Sequence, residues 1–146
     1  VTKGMRNLNA IRLRMPKTAP YLNSGILLMN LRVLRRIVDP QLIYDYIRKN
    51  KAVLALPDQD VLSALYGDRS VLVDSLRYNL SDRYLRLYNL RRPYKEPKAD
   101  LDWVRKNGVI IHYCGRNKPW KPDYVGELGV FWNETVQTVD FSHWEA

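Results

Sequence analysis

The residues best suited to chemistry lie in one run, His112-Tyr113-Cys114-Gly115-Arg116-Asn117-Lys118-Pro119-Trp120. It continues from an apolar stretch, residues 109–113, that reads as a short strand between two glycines. Open α/β sheets bind ligands beyond the carboxyl ends of their strands. A neutral imidazole at His112 can ligate a divalent metal. Gly115 can bring a backbone amide against a phosphate, and Lys118 can neutralise that phosphate as a point charge. The plainer reading is a hydrogen-bonded core histidine and a solvated lysine. The clustering at one strand end, not any single residue, supports a ligand site.

Two further groups could bind sugar hydroxyls. In Asp58-Gln59-Asp60 a carboxylate and a carboxamide offer directional acceptors, and the amide adds donors. An Asp ahead of an amphipathic helix is also an ordinary N-cap, which would leave Gln59 and Asp60 as first-turn residues. Asn23-Ser24-Gly25 is turn chemistry leading into an apolar run, and could equally be a polar strand entrance facing a ligand. Asp100-Leu101-Asp102 has the D-x-D look of a metal pair. It precedes a helix-like stretch, where early acids complement the helix dipole, and is read as capping. His143 has no partner nearby in sequence and is given no role.

The elements that must position these residues follow from local signals. Residues 1–20 are basic and weakly patterned, with Pro16 and Pro20 bracketing Lys17-Thr18-Ala19, and read as a short helix or loop. The run 25–31 (GILLMNL) suits a buried strand, although periodicity alone does not exclude a helix. Asp39-Pro40 starts a helix whose apolar face is Leu42, Ile43, Tyr46 and Ile47. Pro57-Asp58 repeats that start, with Val61, Leu62 and Leu65 as the stripe and Gly67 as the stop. Residues 71–73 (VLV) read as a strand, and the following Tyr/Arg/Leu-rich sequence to Lys98 as irregular. A helix from Asp100 to Asn107-Gly108 follows, and another over about 124–139, weakened by Gly126 and Gly129. Helices alternating with short buried strands argue α/β.

Composition narrows the function classes. With 46% hydrophobic and 27% charged residues, the 146-residue chain is globular and long enough for one compact domain. The net charge of +9 fits an anionic partner, such as nucleotide phosphates or an acidic membrane face. Nucleic acid is not expected, because the basic residues are scattered rather than set in a stripe beside stacking aromatics. The lone Cys114 forms no internal disulfide, and no apolar stretch is long enough to span a membrane. The expected location is cytoplasmic. The start, Val1-Thr2-Lys3-Gly4, is not a native methionine start, so the chain is expected to be processed or excised.

Three segments, YLNSGILLMNL (21–31), LPDQDVLSALYG (56–67) and IIHYCGRNKPW (110–120), resemble glycosyltransferase family 8 in order and spacing. Arg77-Tyr78-Asn79, between the second and third, also fits the family pattern. The resemblance covers roughly residues 21–121. It implies the A-type nucleotide-diphospho-sugar transferase fold, a mixed sheet flanked by helices. It also implies a retaining transfer of glucose or galactose from a UDP-sugar to a glycan or glycolipid acceptor, with manganese or magnesium. By the same resemblance His112 is the metal-ligating histidine, and Gly115 and Lys118 touch the diphosphate. Asn23, Ser24, Gly25, Asp58 and Gln59 face the sugar, with Gln59 opposite the reacting carbon.

The family's D-x-D carboxylates and its first nucleotide-binding strand lie upstream of the N-S-G segment and are not in these 146 residues. The chain is therefore expected to be one domain, 1–146, the C-terminal part of a family 8 catalytic domain that is inactive alone. The alternative is a non-catalytic, transferase-derived binding module associated with a membrane surface. Peripheral attachment to the inner membrane face is a further expected partner contact, since family relatives act on lipid-linked or surface glycans.

Overall fold

The computed structural model describes residues 3–16 and 18–140. Lys17 and His143 lie outside them. The chain divides into two compact units, residues 1–73 and 74–146, each with its own core.

The first unit contains α1 (Lys3–Arg12), α2 (Leu31–Ile37), α3 (Pro40–Asn50) and α4 (Pro57–Tyr66). α1 closes in a Schellman turn, with Met15 N–H donating to Ala10 O at 2.8 Å and Arg14 N–H to Ile11 O at 3.2 Å. Arg14 sits at φ 54° there, in the left-handed region usually left to glycine. The turn folds Leu13, Met15 and Ala19 into a small core against Ala10, Tyr21, Leu54 and Ala64. α3 begins as its sequence dictates: Asp39 caps it, accepting from Gln41 N–H at 2.8 Å, and Pro40 occupies the first turn. α4 also opens on its proline, but Asp58 is not the cap. Leu56 holds that position with no side-chain cap of its own. Asp60, one turn on, reaches back to accept from Ala55 N–H at 2.7 Å and Leu56 N–H at 3.1 Å. Buried Ser63 accepts from Leu22 N–H at 2.9 Å and ties the approach to the N-S-G segment onto α4.

The second unit contains α5 (Ser75–Tyr78), α6 (Asp82–Arg91), α7 (Leu101–Asn107) and α8 (Gly129–Thr138). Its core is Leu76, Leu80, Leu85, Ala99, Val104 and Leu128, with Ile111, Tyr113 and Phe131 packed against it. Asp100 caps α7 through Trp103 N–H at 2.8 Å, so the D-x-D look-alike is indeed a helix start. Asp82 organises the far side, accepting from Tyr124 O–H and from Leu128 N–H at 3.0 Å.

Four expectations are corrected. The mixed sheet is absent among the described residues, where the only bridge is a parallel pairing of Leu80 with Ile111. Residues 25–31 and 71–73 have strand composition but no ladder; Leu28 is fully exposed and Val71 is 91% exposed. A strand needs a neighbour to take its N–H and C=O groups, and no described segment supplies one. Residues 74–98 are mostly helical, because Leu85, Tyr88 and Tyr84 put one face of α6 into the core. The last helix starts only at Gly129, since Tyr124 to Leu128 are held in a loop by Asp82.

Candidate active site

In the first unit the fold brings two of the singled-out segments together. Asn23 Oδ1 accepts from Gly25 N–H at 2.8 Å, an Asx turn that presents Ser24. The Ser24 hydroxyl donates to the Asp58 carboxylate, and Ser24 N–H donates to Gln59 Oε1 at 3.2 Å. Residues 34 and 35 positions apart in sequence thus form one polar cluster at the N-terminus of α4. The Ser24 hydroxyl, followed by the Gln59 backbone amide, holds the Asp58 carboxyl below its ordinary range. Asp58 remains exposed, so it is ionised and accessible to a ligand hydroxyl. Gln59 Oε1 is held by the Ser24 amide, and its side chain lies beside the Tyr21 phenol. One lone pair of its carboxamide oxygen is taken by Ser24, and a second remains.

Behind this cluster lies Asp60, which the sequence marks only as a member of the Asp58-Gln59-Asp60 run. Asp60 is completely buried and accepts five hydrogen bonds: two from Arg12 at 2.7 Å, one from Tyr21 O–H at 2.8 Å, and those from Ala55 and Leu56. Burial alone would raise its pKa, but the Arg12, Tyr21, Ala55 and Leu56 hydrogen bonds outweigh burial and keep it well below the carboxylate range. Arg12 also donates to Val53 O at 2.5 Å and Asn9 Oδ1 at 3.0 Å. The chain of contacts runs Arg12, Asp60, Tyr21, Gln59, Ser24. An arginine and an aspartate 48 positions apart carry no spacing signal. The one available clue was that two acids crowd the start of α4 while Pro57 leaves little there to cap.

The second unit holds the other group. The pairing with Leu80 fixes His112 through its own N–H, which donates to Leu80 O at 2.7 Å. The ring Nδ1 lies 2.8 Å from Asn79 Oδ1. An amide oxygen accepts, so Nδ1 is the donor of this pair, and in the neutral ring Nε2 has a lone pair open to a ligand. Gly115 has φ 77°, with nothing within 4 Å of where a Cβ would stand; its backbone, not crowding, demands glycine. Lys118 Nζ donates to Tyr113 O at 2.6 Å and lies 5.4 Å from the Trp120 ring centroid. Two of its three donors are left after the Tyr113 bond. Asn117 clamps the loop to Val125 with bonds of 2.8 and 3.0 Å, and Trp120 packs on Trp132 at 5.0 Å. Cys114 is a free, exposed thiol.

His112 could supply one ligand to a divalent metal, with Asn79 holding its other ring nitrogen. No group of three or more His, Cys, Asp or Glu able to hold a metal occurs among the described residues. Nor is any helix among them long and apolar enough to cross a membrane.

Comparison with known proteins follows the same segments. A family model described as Glycosyl transferase family 8 matches residues 5–123. The chain is 28% identical over 110 residues to General stress protein A of Bacillus subtilis (strain 168), covering 70% of this chain and 36% of that protein. It is 29% identical over 110 residues to the lipopolysaccharide glucosyltransferase WaaO of Escherichia coli (strain K12), covering 68% of this chain and 27% of that one. The structure is similar to that of the galactosyltransferase LgtC in complex with donor and acceptor sugar analogs. That match has a TM-score of 0.69 and 22% identity, with 99% of this chain and 52% of LgtC covered. The LgtC mutant Q189E aligns with a TM-score of 0.66 and 23% identity, over 91% and 48% of the two chains. The chain therefore spans about a third of these curated relatives and about half of the solved chains.

Proposed function

The chain belongs to glycosyl transferase family 8, and from that premise we propose that it is the downstream part of a retaining, metal-dependent hexosyltransferase. The donor is a UDP-sugar, UDP-glucose or UDP-galactose, and the acceptor a glycan or glycolipid. The relatives named for lipopolysaccharide glucosyl transfer support that acceptor class. The observation that carries the reading is the convergence of Asn23-Ser24-Gly25 on Asp58-Gln59, which builds a hydroxyl-binding cluster from two remote segments.

In the reaction the bond between the sugar's anomeric carbon and the diphosphate breaks, and the acceptor oxygen bonds to that carbon on the same face. The acceptor's proton leaves with the departing diphosphate. Asp58 and Ser24 would hold sugar hydroxyls. Gln59, held by Ser24 beside Tyr21, would turn its carbonyl toward the positive charge that grows on the ring. Lys118 and the Gly115 amide would stabilise the leaving diphosphate, where interactions that strengthen in the transition state accelerate the step. A divalent ion, manganese or magnesium, held in part by His112, would supply Lewis-acid stabilisation of the same oxygens.

The remaining metal ligands and the uridine pocket are assigned to polypeptide upstream of this chain. The bare apolar runs 25–31 and 71–73 support that assignment, since they are composed as strands and lack partners among the described residues. The protein would act in the cytoplasm, at the inner membrane face. UDP release from UDP-glucose and UDP-galactose with manganese tests the reading. The intact polypeptide should turn over and the isolated chain should not. An isolated chain as fast as an ordinary enzyme would overturn its fragment status. An intact polypeptide that binds no UDP-sugar would replace the transferase with a non-catalytic binding module.

A further inference from the structure

We propose that the outward face of α6, with the turn that follows it, docks the protein on an anionic lipid surface. α6 buries Leu85 and turns Tyr84, Tyr88 and Asn89 inward. Its opposite face carries Arg83, Arg86, Leu87 and Leu90, all exposed and spaced to share an arc of about 100°. Leu90 is 83% exposed, and Tyr94, just beyond the helix, is 98% exposed. Neither contributes to either core.

Charge decides what covers these apolar groups. Between residues 83 and 98 the exposed cations are Arg83, Arg86, Arg91, Lys95 and Lys98, against one exposed carboxylate, Glu96. Asp82, in the first turn of α6, accepts from Tyr124 and Leu128 and adds one further negative charge, so the segment stays net positive. Aliphatic groups flanked by long cations suit a headgroup layer, in which leucine and tyrosine sink to the acyl boundary while arginines reach phosphates. A nucleic-acid strand would instead require a groove lined with stacking aromatics. The turn is held to the helix by Asn89, which donates to Ala99 O and accepts from Ala99 N–H, both at 2.9 Å. The apolar tip and its cationic rim thus stand on a fixed base.

The inference deepens the transferase reading by bringing the enzyme to a glycolipid acceptor, and rests on that reading for the acceptor alone. Its test is co-sedimentation of the full polypeptide with vesicles of phosphatidylcholine, with and without phosphatidylglycerol. Binding is expected only with phosphatidylglycerol and should fall in high salt. The variant Leu90→Ser/Tyr94→Ser should reduce it severalfold. Arg86→Glu and Arg91→Glu should each weaken it by about fivefold or more, since one surface cation near an anionic membrane is worth about 1 kcal/mol. Transfer to a water-soluble acceptor should be unchanged in all three variants, which separates failure of docking from failure of catalysis. Equal binding to neutral vesicles, or wild-type binding by all three variants, would overturn the proposal.

Discussion

Arg12 grips the buried carboxylate of Asp60 with both terminal nitrogens, at 2.7 Å each, and so joins the first helix to the start of the fourth. The pair anchors the face from which Gln59 and Asp58 project. Arg12→Ala leaves a buried negative charge without its cation and should cost about 3 kcal/mol of the first unit's stability, read from thermal or urea unfolding. Asp60→Asn keeps the shape and should cost less. Its effect should depend on pH with a definite sign. The folded-state pKa of Asp60 lies below the unfolded value, so its contribution is complete above about pH 4 and shrinks as the pH falls further. The wild type and Asp60→Asn should converge in stability in acid.

In the proposed metal site Asn79 would act through its contact with the His112 ring. Asn79→Ala should leave the fold intact while lowering manganese affinity of the intact polypeptide about 10- to 100-fold in calorimetric titration. His112→Ala should lower it further. Unchanged affinity in both variants would remove His112 from the metal site.

Tyr21 separates buried Asp60 from Gln59. Tyr21→Phe should free the Gln59 carboxamide and reduce kcat on the order of tenfold or more with little change in KM, as expected when a positioned group loses its support. A rise in KM alone would assign Gln59 to ground-state binding instead.

Two backbone positions invite opposite substitutions. Arg14 occupies left-handed space at the end of α1, so Arg14→Gly should raise stability by about 1 kcal/mol. Gly115 occupies it with free space around it, so Gly115→Ala should cost a similar amount through strain alone. Differential scanning calorimetry would read both.

Burial, together with the Asp82 charge, pushes the Tyr113 phenol up to about 12, and burial with the Asp82 hydrogen bond pushes Tyr124 higher still. Both are neutral in the fold at pH values where the unfolded chain ionises. Their stabilisation is complete below about pH 10 and is lost as the pH climbs toward 12. Alkaline titration at 295 nm should show these two tyrosines ionising only with unfolding.

Features set by near neighbours were legible in the sequence. The Asp39 and Asp100 caps, and the turn at Asn23, are decided within three residues, and each forms as read. The strands were misread because apolar composition reports burial, whereas pairing depends on a partner elsewhere in space. The helix α6 was missed because its inward face is largely tyrosine, whose apolar ring and polar tip blur the periodic pattern. Arg12 and Asp60 were invisible for a different reason: only the folded path of the chain makes them neighbours.

The bare run Gly25–Leu31 bears on how the protein is made. It holds seven residues without a charge or a proline, the composition that drives cross-β stacking when left uncovered. A chain synthesised without the rest of its fold should therefore meet copies of itself through this segment before it meets anything else. Solubility on expression, rather than catalytic rate, would be the first property to register what is missing.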